Sequence, residues 1–477
     1  MHTPFTTQQS SASTAIIRFL VKGAIAFACL QATIIYLQMI GLASSNHNTF
    51  SVTGTFDNPA PVGGLLAICA SLALHQSFYS PKRFPWGVIT CYLLLACVLT
   101  DSRAALLGFI VATVVVLFVR FRIPNKLLRR TIHIGLPFLG LLLITGLYQY
   151  RPQSANGRLL IWKICIKHII AEKPLLGHSI DGFHREYMPA QADYFASGCA
   201  TEAETLLAAD NTFPFNEFVR IACEFGIIGV LLTIIVLSVI VYSGKEEFST
   251  LRGAAITALV CGIVFACFSY PLDVPVLRLL YAILILCALP PLKLSECRRR
   301  MLYFCIGIVA IVFIGGRTSS YIHFHRMDRA LTKLLVSDDR ANKAYIKESI
   351  ANFADNERIL SKYAYILYEK GQYKEAIPIL EQSISLFPTA EKILDLGDAY
   401  KEVKIYGKAI ECYRTASYML PAYVTPPYKL FCLYNQLGIN DKAVEYARQI
   451  NSMKAKVENR RAMNIKKEAK EFLQQQQ

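Results

Sequence analysis

Nine apolar runs, near residues 16–42, 59–78, 85–101, 103–120, 131–149, 219–242, 253–270, 274–292 and 301–317, dominate the first two thirds of this chain. Crossing a bilayer core takes roughly 20 helical residues, and lipid offers no partner to an unpaired backbone N–H or C=O. Runs of this length and number predict an all-α chain that begins as a polytopic membrane bundle of about nine spans. Charge marks where that material ends. Residues 1–317 carry 25 Lys/Arg and 15 Asp/Glu, whereas 318–477 carry 25 and 19 in half the length. We therefore expect a membrane domain over 1–317 and a soluble helical domain over 318–477. The net charge of +16 divides between them as +10 and +6. Much of the first excess sits in short loops, where it has a topological meaning, so nucleic acid is not an expected partner.

Most of the 14 cysteines lie singly inside apolar runs, as Cys29, Cys69, Cys91, Cys97, Cys261, Cys267, Cys287 and Cys305 do. There they behave as small hydrophobes. No pair has zinc-ligand spacing, and no metal or cofactor is expected. Gly41-Leu42-Ala43 mimics a signal-peptide cleavage site. The apolar run before it is longer than the roughly 7–15 residues of a signal core, so it reads as an uncleaved first span.

Cytoplasmic loops collect Lys and Arg. With the N-terminus inside, the inner segments hold Arg18 and Lys22; Lys82 and Arg83; Arg120, Arg122, Lys126, Arg129 and Arg130; Lys245 and Arg252; and Lys293, Arg298, Arg299 and Arg300. The outer loop at 43–57 and the turn Ser269–Pro275 contain neither residue type. An odd span count then places a large loop, 150–218, and the whole tail outside, in the periplasm of a two-membrane envelope.

The tail repeats itself. Gly371-Gln372-Tyr373-Lys374-Glu375-Ala376 with Leu380 and Pro388 is followed by Gly397, Tyr400, Tyr406, Ala409, Tyr413, Ala416 and Pro421, then by Tyr434, Gly438, Ala443 and Ala447. The alanines 376, 409 and 443 are 33 and 34 residues apart. This resembles the tetratricopeptide repeat, with its period of about 34 residues, and implies a stacked helical solenoid. Such a domain either docks a protein partner or braces the membrane domain.

Three outward-facing stretches carry polar residues that a plain anchor does not need. In Thr100-Asp101-Ser102-Arg103, one reading has Asp101 or Ser102 capping the next helix while Arg103 snorkels. The other has Arg103 holding a guanidinium at headgroup level, where a lipid-linked phosphate lies. In the segment 158–170, Leu159, Trp162, Ile166 and Ile169/Ile170 fall on one side of a helix, as in an amphipathic helix on the membrane surface. Arg158 stands four residues before Trp162, a spacing that also suits a plain cation–π anchor. The segment ends at Glu172-Lys173-Pro174-Leu175-Leu176-Gly177. In the third stretch, Asn216, Glu217, Arg220 and Glu224 share a face at the mouth of a span. They either turn toward a cavity or simply pair as Glu217–Arg220 and Arg220–Glu224.

Taken together, the Ser-Arg turn, the Gly157-Arg158…Trp162 helix ending in Pro174-Leu175-Leu176-Gly177, and Phe215-Asn216-Glu217-Phe218…Glu224-Phe225-Gly226-Ile227-Ile228-Gly229 resemble the O-antigen ligase and polymerase superfamily. That superfamily includes bacterial protein O-oligosaccharyltransferases. The resemblance spans roughly residues 50–290, and a trailing tetratricopeptide array accompanies some members. It implies a GT-C-like inner-membrane transferase, independent of metal, that takes glycan from an undecaprenyl-pyrophosphate donor. The acceptor is lipid A-core, a growing glycan or a protein. Arg103 and Arg158 match the family's conserved arginines. Where many members carry a His-Asn pair this chain has Phe215-Asn216, and Glu217 becomes the first candidate for the catalytic base. His178 and His184 are second choices for that role. Trp162, Asn216, Arg220 and His178 are candidate substrate contacts, and the apolar spans would hold the polyprenyl chain among membrane lipid. The competing class is a non-enzymatic membrane scaffold that presents the repeat domain to envelope partners.

Overall fold

The computed structural model describes residues 5–121, 151–243, 250–289, 324–336 and 340–476, together with 140, 145, 146, 148 and 149. Among these, every regular element is helical. The runs expected at 131–149 and 301–317 lie almost wholly outside the described residues, as do Arg122, Lys126, Arg129, Arg130, Lys245, Lys293, Arg298, Arg299, Arg300 and the boundary at Arg317. The chain forms two compact units. The first comprises Met1–Arg158, Pro174–Gly177 and Phe213–Pro291, and the second Leu159–Lys173, His178–Thr212 and Leu292–Gln477.

The other seven apolar runs are helices: α1 (Phe5–Met39), α2 (Pro59–Tyr79), α3 (Arg83–Leu99), α4 (Arg103–Arg120), α8 (Glu217–Ser243), α9 (Leu251–Ala266) and α10 (Pro275–Ala288). Four of them, over Arg18–Met39, Pro59–Tyr79, Arg103–Arg120 and Glu217–Ile240, are long and apolar enough to cross a membrane. Helices α3, α9 and α10 are shorter. At 1.5 Å per residue they reach only about 20–25 Å, short of the roughly 30 Å of a bilayer core.

In the first unit α2 is the buried centre. Its residues from Pro61 to Ala73 are all buried, as expected of a helix that is apolar all round. Small residues let its neighbours come close. A Cβ at Gly64 would meet the Phe265 ring of α9 at 2.4 Å, and one at Gly108 would lie 2.5 Å from the Cys261 carbonyl oxygen, which brings α4 onto α9. Helix α8 is the opposite case. Leu231, Leu232, Ile235 and Val239 are about half exposed or more, which is how a lipid-facing helix looks. The loop at 43–57 is tied down by two buried glutamines of α1. Gln38 donates to the carbonyls of Ser44 and Gly54 and accepts from the N–H groups of Thr53 and Gly54. Gln31 accepts from Thr55 N–H.

The second unit begins at Leu159, within the helix α5 (Pro152–Ile164), which continues into a π-helical turn, Cys165–Ile170. Its buried face is Leu160, Ile161, Ile164, Cys165 and Ile169, while Leu159 and Ile166 are exposed. Of the expected apolar side, Leu159, Trp162, Ile166 and Ile169/Ile170, Ile169 is packed while Leu159 and Ile166 are exposed. Helices α6 (Gly182–Ala196) and α7 (Glu202–Leu207) follow. In α7, Thr201 and Glu204 form a capping box, and Glu204 Oε1 accepts from Lys163 Nζ at 2.5 Å while Oε2 accepts from Tyr194 O–H at 2.9 Å. Burial opposes ionisation of Glu204, but Lys163, the Thr201 N–H and Tyr194 outweigh it and hold the carboxyl down at about 2. The folded value lies below the ordinary 4.5, so this knot stabilises above that pH and is lost as pH falls through it. Amide protection across α7, corrected for intrinsic exchange, is expected to hold at pH 5 and fall between pH 4.5 and about 2. Glu204→Gln should erase the step, and an unchanged pH profile in that variant would refute the assignment.

Beyond Arg340 come α11 (Arg340–Ser349) and three helical hairpins: α12 (Glu357–Glu369) with α13 (Tyr373–Leu386), α14 (Ala390–Glu402) with α15 (Tyr406–Met419), and α16 (Thr425–Gln436) with α17 (Asn440–Ser452). Helix α18 (Arg460–Gln475) closes the series. Ala376, Ala409 and Ala443 are each fully buried where paired helices approach. Each hairpin turns through a left-handed residue, Gly371, Lys404 and Gly438, so the turns recur at the alanines' own interval. Lys404 takes at some cost a conformation that glycine adopts freely.

Candidate functional site

Arg103 is the first residue of α4. A cation at a helix N-terminus faces the positive end of the backbone dipole, the unfavourable end. Arg252, likewise in the first turn of its helix α9, has a compensating contact: its Nε donates to the carbonyl of Ala288, the last residue of α10. The turn that presents Arg103 fits against α2 because residue 63 is glycine. A Cβ there would come within 2.5 Å of Ser102 Cβ and 2.6 Å of Thr100 Oγ1. Neither reading of Asp101 or Ser102 as the cap survives. Ser102 makes no capping hydrogen bond, and Asp101, in a left-handed conformation, pairs with Arg151 at 2.6 Å.

Arg158 lies near enough to feel the charge of Arg103: burial first, and then that charge, push its guanidinium below the ordinary value. The guanidinium of Arg158 lies over Phe215, whose ring centre is 5.3 Å from the guanidinium carbon. Phe215 adopts a left-handed backbone (φ 53°), unusual for a bulky side chain and typical of a strained functional segment. It meets Tyr270 edge-on at 5.6 Å, and Tyr270 stacks flat on Phe213 at 4.0 Å.

Asn216 is the structural start of α8. Its Oδ1 accepts from the N–H groups of Phe218 and Val219. Glu217 is only 4% exposed, and its Oε1 accepts from Leu272 N–H at 2.7 Å. Arg220 binds Glu224 Oε1 at 3.0 Å and Asp273 Oδ1 at 2.7 Å, while Glu217 Oε2 stays 3.8 Å away. Both anticipated pairs thus exist, but the strongest partner of Arg220 is Asp273, a residue the sequence reading passed over. An acidic residue in a seven-residue turn between two apolar runs was the available signal. Three carboxyl groups surround one guanidinium, and Glu217 Oε2 is buried without a hydrogen bond.

The remaining candidates belong to the second unit. His178 is buried; its Nε2 lies 3.0 Å from the Ile169 carbonyl and its Nδ1 3.6 Å from Glu186. His184 packs edge-on against Phe387 at 5.4 Å. Trp162 is half-buried, one turn beyond Arg158 on α5.

One feature joins two of the sequence motifs. At Gly226 (φ 64°, ψ −164°) the helical backbone of α8 breaks. The N–H groups of Ile227 and Ile228 turn to the carbonyls of Pro174 and Leu175, at 2.8 and 3.4 Å. Gly177, also left-handed, packs directly on the Glu224 peptide. The Pro-Leu-Leu-Gly turn is thus docked into a gap in a membrane helix, below the acidic cluster that α8 carries.

Residues 88–234 match the O-antigen ligase family model. The match supports the O-antigen ligase superfamily for this part of the chain. The matched segment contains Arg103, Arg158, Glu217, Arg220 and the interlocked glycines, while Tyr270 and Asp273 lie beyond it. No curated protein matches the chain. An O-antigen ligase domain with apolar helices makes this a membrane protein of the glycan ligase and transferase type.

Proposed function

We propose that the protein moves glycan from an undecaprenyl-pyrophosphate donor to an acceptor hydroxyl at the outer face of the cytoplasmic membrane, with the helical repeats in the periplasm. The observation that carries this is Arg158 set over the ring of the strained Phe215, with its guanidinium within reach of the charge of Arg103. As the bond from the sugar to the pyrophosphate breaks, negative charge grows on the leaving phosphate. Guanidinium groups stay protonated and bind phosphate oxygens in a bidentate fork, so they stabilise that charge without a metal. The acceptor hydroxyl attacks the anomeric carbon and gives its proton to Glu217, whose Leu272 contact fixes the carboxyl while leaving Oε2 as acceptor. Asn216 and Arg220 hold that segment in place, and Trp162 offers an aromatic face to a sugar ring. His178 serves as packing for the loop. Lipid A-core, a growing glycan chain and a protein are the acceptor classes this chemistry serves.

The test uses the full chain in detergent with a lipid-pyrophosphate-linked glycan. Transfer should survive chelation. Glu217→Gln should lower turnover about 10²-fold, the scale of general-base catalysis, with donor binding unchanged. Turnover abolished by chelator and restored by magnesium would overturn the arginine account. Normal turnover per folded Glu217→Gln molecule would remove the base, and a wild-type chain that transfers nothing would return the membrane scaffold to first place.

A further inference from the structure

We propose that the C-terminal helical repeats are an internal clamp on the chain's own loop, and that Gln191 and Lys456 are positioning residues for the transfer reaction. The inference rests on the transferase reading above. Within the second unit, α6 packs on α15 and α13, so that face of the repeat array is covered by the chain itself and not open to a partner. Gln191 of α6 is fully buried. Its Nε2 donates to the carbonyls of Met419, at the end of α15, and Ala209, at 2.6 and 3.1 Å, while its Oε1 accepts from Tyr187 O–H at 2.8 Å. One side chain therefore joins the loop helix, the segment after α7 and the second hairpin.

Lys456, between α17 and α18, repeats the arrangement from another point. Its Nζ donates to the carbonyls of Leu207 and Ala208 at 3.0 and 2.7 Å, and its own N–H binds the Ala422 carbonyl at 3.0 Å. Those two carbonyls are the end of α7, where a cation meets the negative end of the helix. The Asp210 carboxyl accepts the N–H of Ala390 at the start of α14. Leu207, Ala208 and Asp210 are thus held by Lys456 and Ala390, far along the chain, and Ala209 by Gln191, 18 positions before it. Lysine is dear to immobilise, and a burial cost that lowers its ordinary value is accepted here for contacts to backbone alone.

The clamped segment ends at Asp210, and the chain reaches Phe213, Phe215 and Glu217 within a few residues. By covalent connection alone, freeing 207–210 loosens the strained lead into α8. Small misplacements of reacting groups cost up to about 10²-fold in rate. A clamp acts on kcat and leaves the donor's own phosphate contacts, and so its KM, unchanged.

The experiment compares the full-length wild type, Lys456→Met, Lys456→Arg and Gln191→Leu in detergent. Two readouts are taken: amide exchange over 205–212, and kcat and KM with a lipid-pyrophosphate-linked glycan. Lys456→Met and Gln191→Leu should speed exchange there and lower kcat by about tenfold or more with KM unchanged. Lys456→Arg keeps two donors and should restore both. Faster exchange with normal kcat would overturn the positioning role, and unchanged exchange would overturn the clamp itself. If the wild type transfers nothing, the transferase reading fails on its own, and exchange still decides whether the clamp exists.

Discussion

Gly226→Ala is expected to leave almost no folded protein. The backbone there (φ 64°, ψ −164°) lies in a region that is essentially glycine's alone, and an L-residue forced into it pays about 1–3 kcal/mol. The added Cβ would sit 2.2 Å from the Leu175 carbonyl oxygen and 2.3 Å from its carbon. Neither atom can swing aside, because that carbonyl and its neighbour satisfy the N–H groups that the break exposes. In a membrane helix those groups have no water to turn to. The sum exceeds about 4 kcal/mol, the range of exceptional point substitutions. Gly177→Ala should behave alike, since its Cβ would meet the Glu224 carbonyl carbon at 2.5 Å. Gly23→Ala, where a Cβ would meet nothing within 4 Å, is the control. Monodisperse yield and melting temperature in detergent measure the effect; a Gly226→Ala protein that matches the control would show the interlock to be dispensable.

Arg103→Lys and Arg158→Lys should each reduce transfer by about 10²–10³-fold, the cost of losing one donor to a developing oxyanion. Charge is kept in both variants, so insertion and folding should be preserved. What goes is the planar fork that reaches two phosphate oxygens at once. Arg158→Lys also loses the broad face that lies over Phe215, so it should be the more severe of the two. Turnover per folded molecule, measured with a lipid-linked donor, separates loss of chemistry from loss of protein. Near-normal turnover in both variants would end the transferase reading.

Much of the framework could be read in advance, because lipid and stacked hairpins both impose periodicity. The seven described apolar helices and the buried alanines at 376, 409 and 443 follow patterns visible along the chain. What escaped was tertiary. The runs expected at 253–270 and 274–292 are helical only over Leu251–Ala266 and Pro275–Ala288, since Pro271 and the turn around it interrupt a hydropathy profile that stays high. Phe215 lies fifty-seven positions beyond Arg158, so its contact with that guanidinium has no local signal. Asp273 found Arg220 across fifty-three positions, a distance no local spacing can report. The docking of 174–177 into α8 was visible only as two separate glycine motifs.

That docking also orders biosynthesis. Ile227 and Ile228 cannot complete their backbone pairing within α8; their acceptors, the carbonyls of Pro174 and Leu175, leave the ribosome earlier. Whichever side of the bilayer that turn occupies, it must already be there when the second half of α8 is threaded into lipid. Otherwise two bare amides enter the hydrocarbon. The membrane helix is therefore finished by a piece of chain delivered before it, so that a translocation delay in the loop would appear as a defect in the helix that follows.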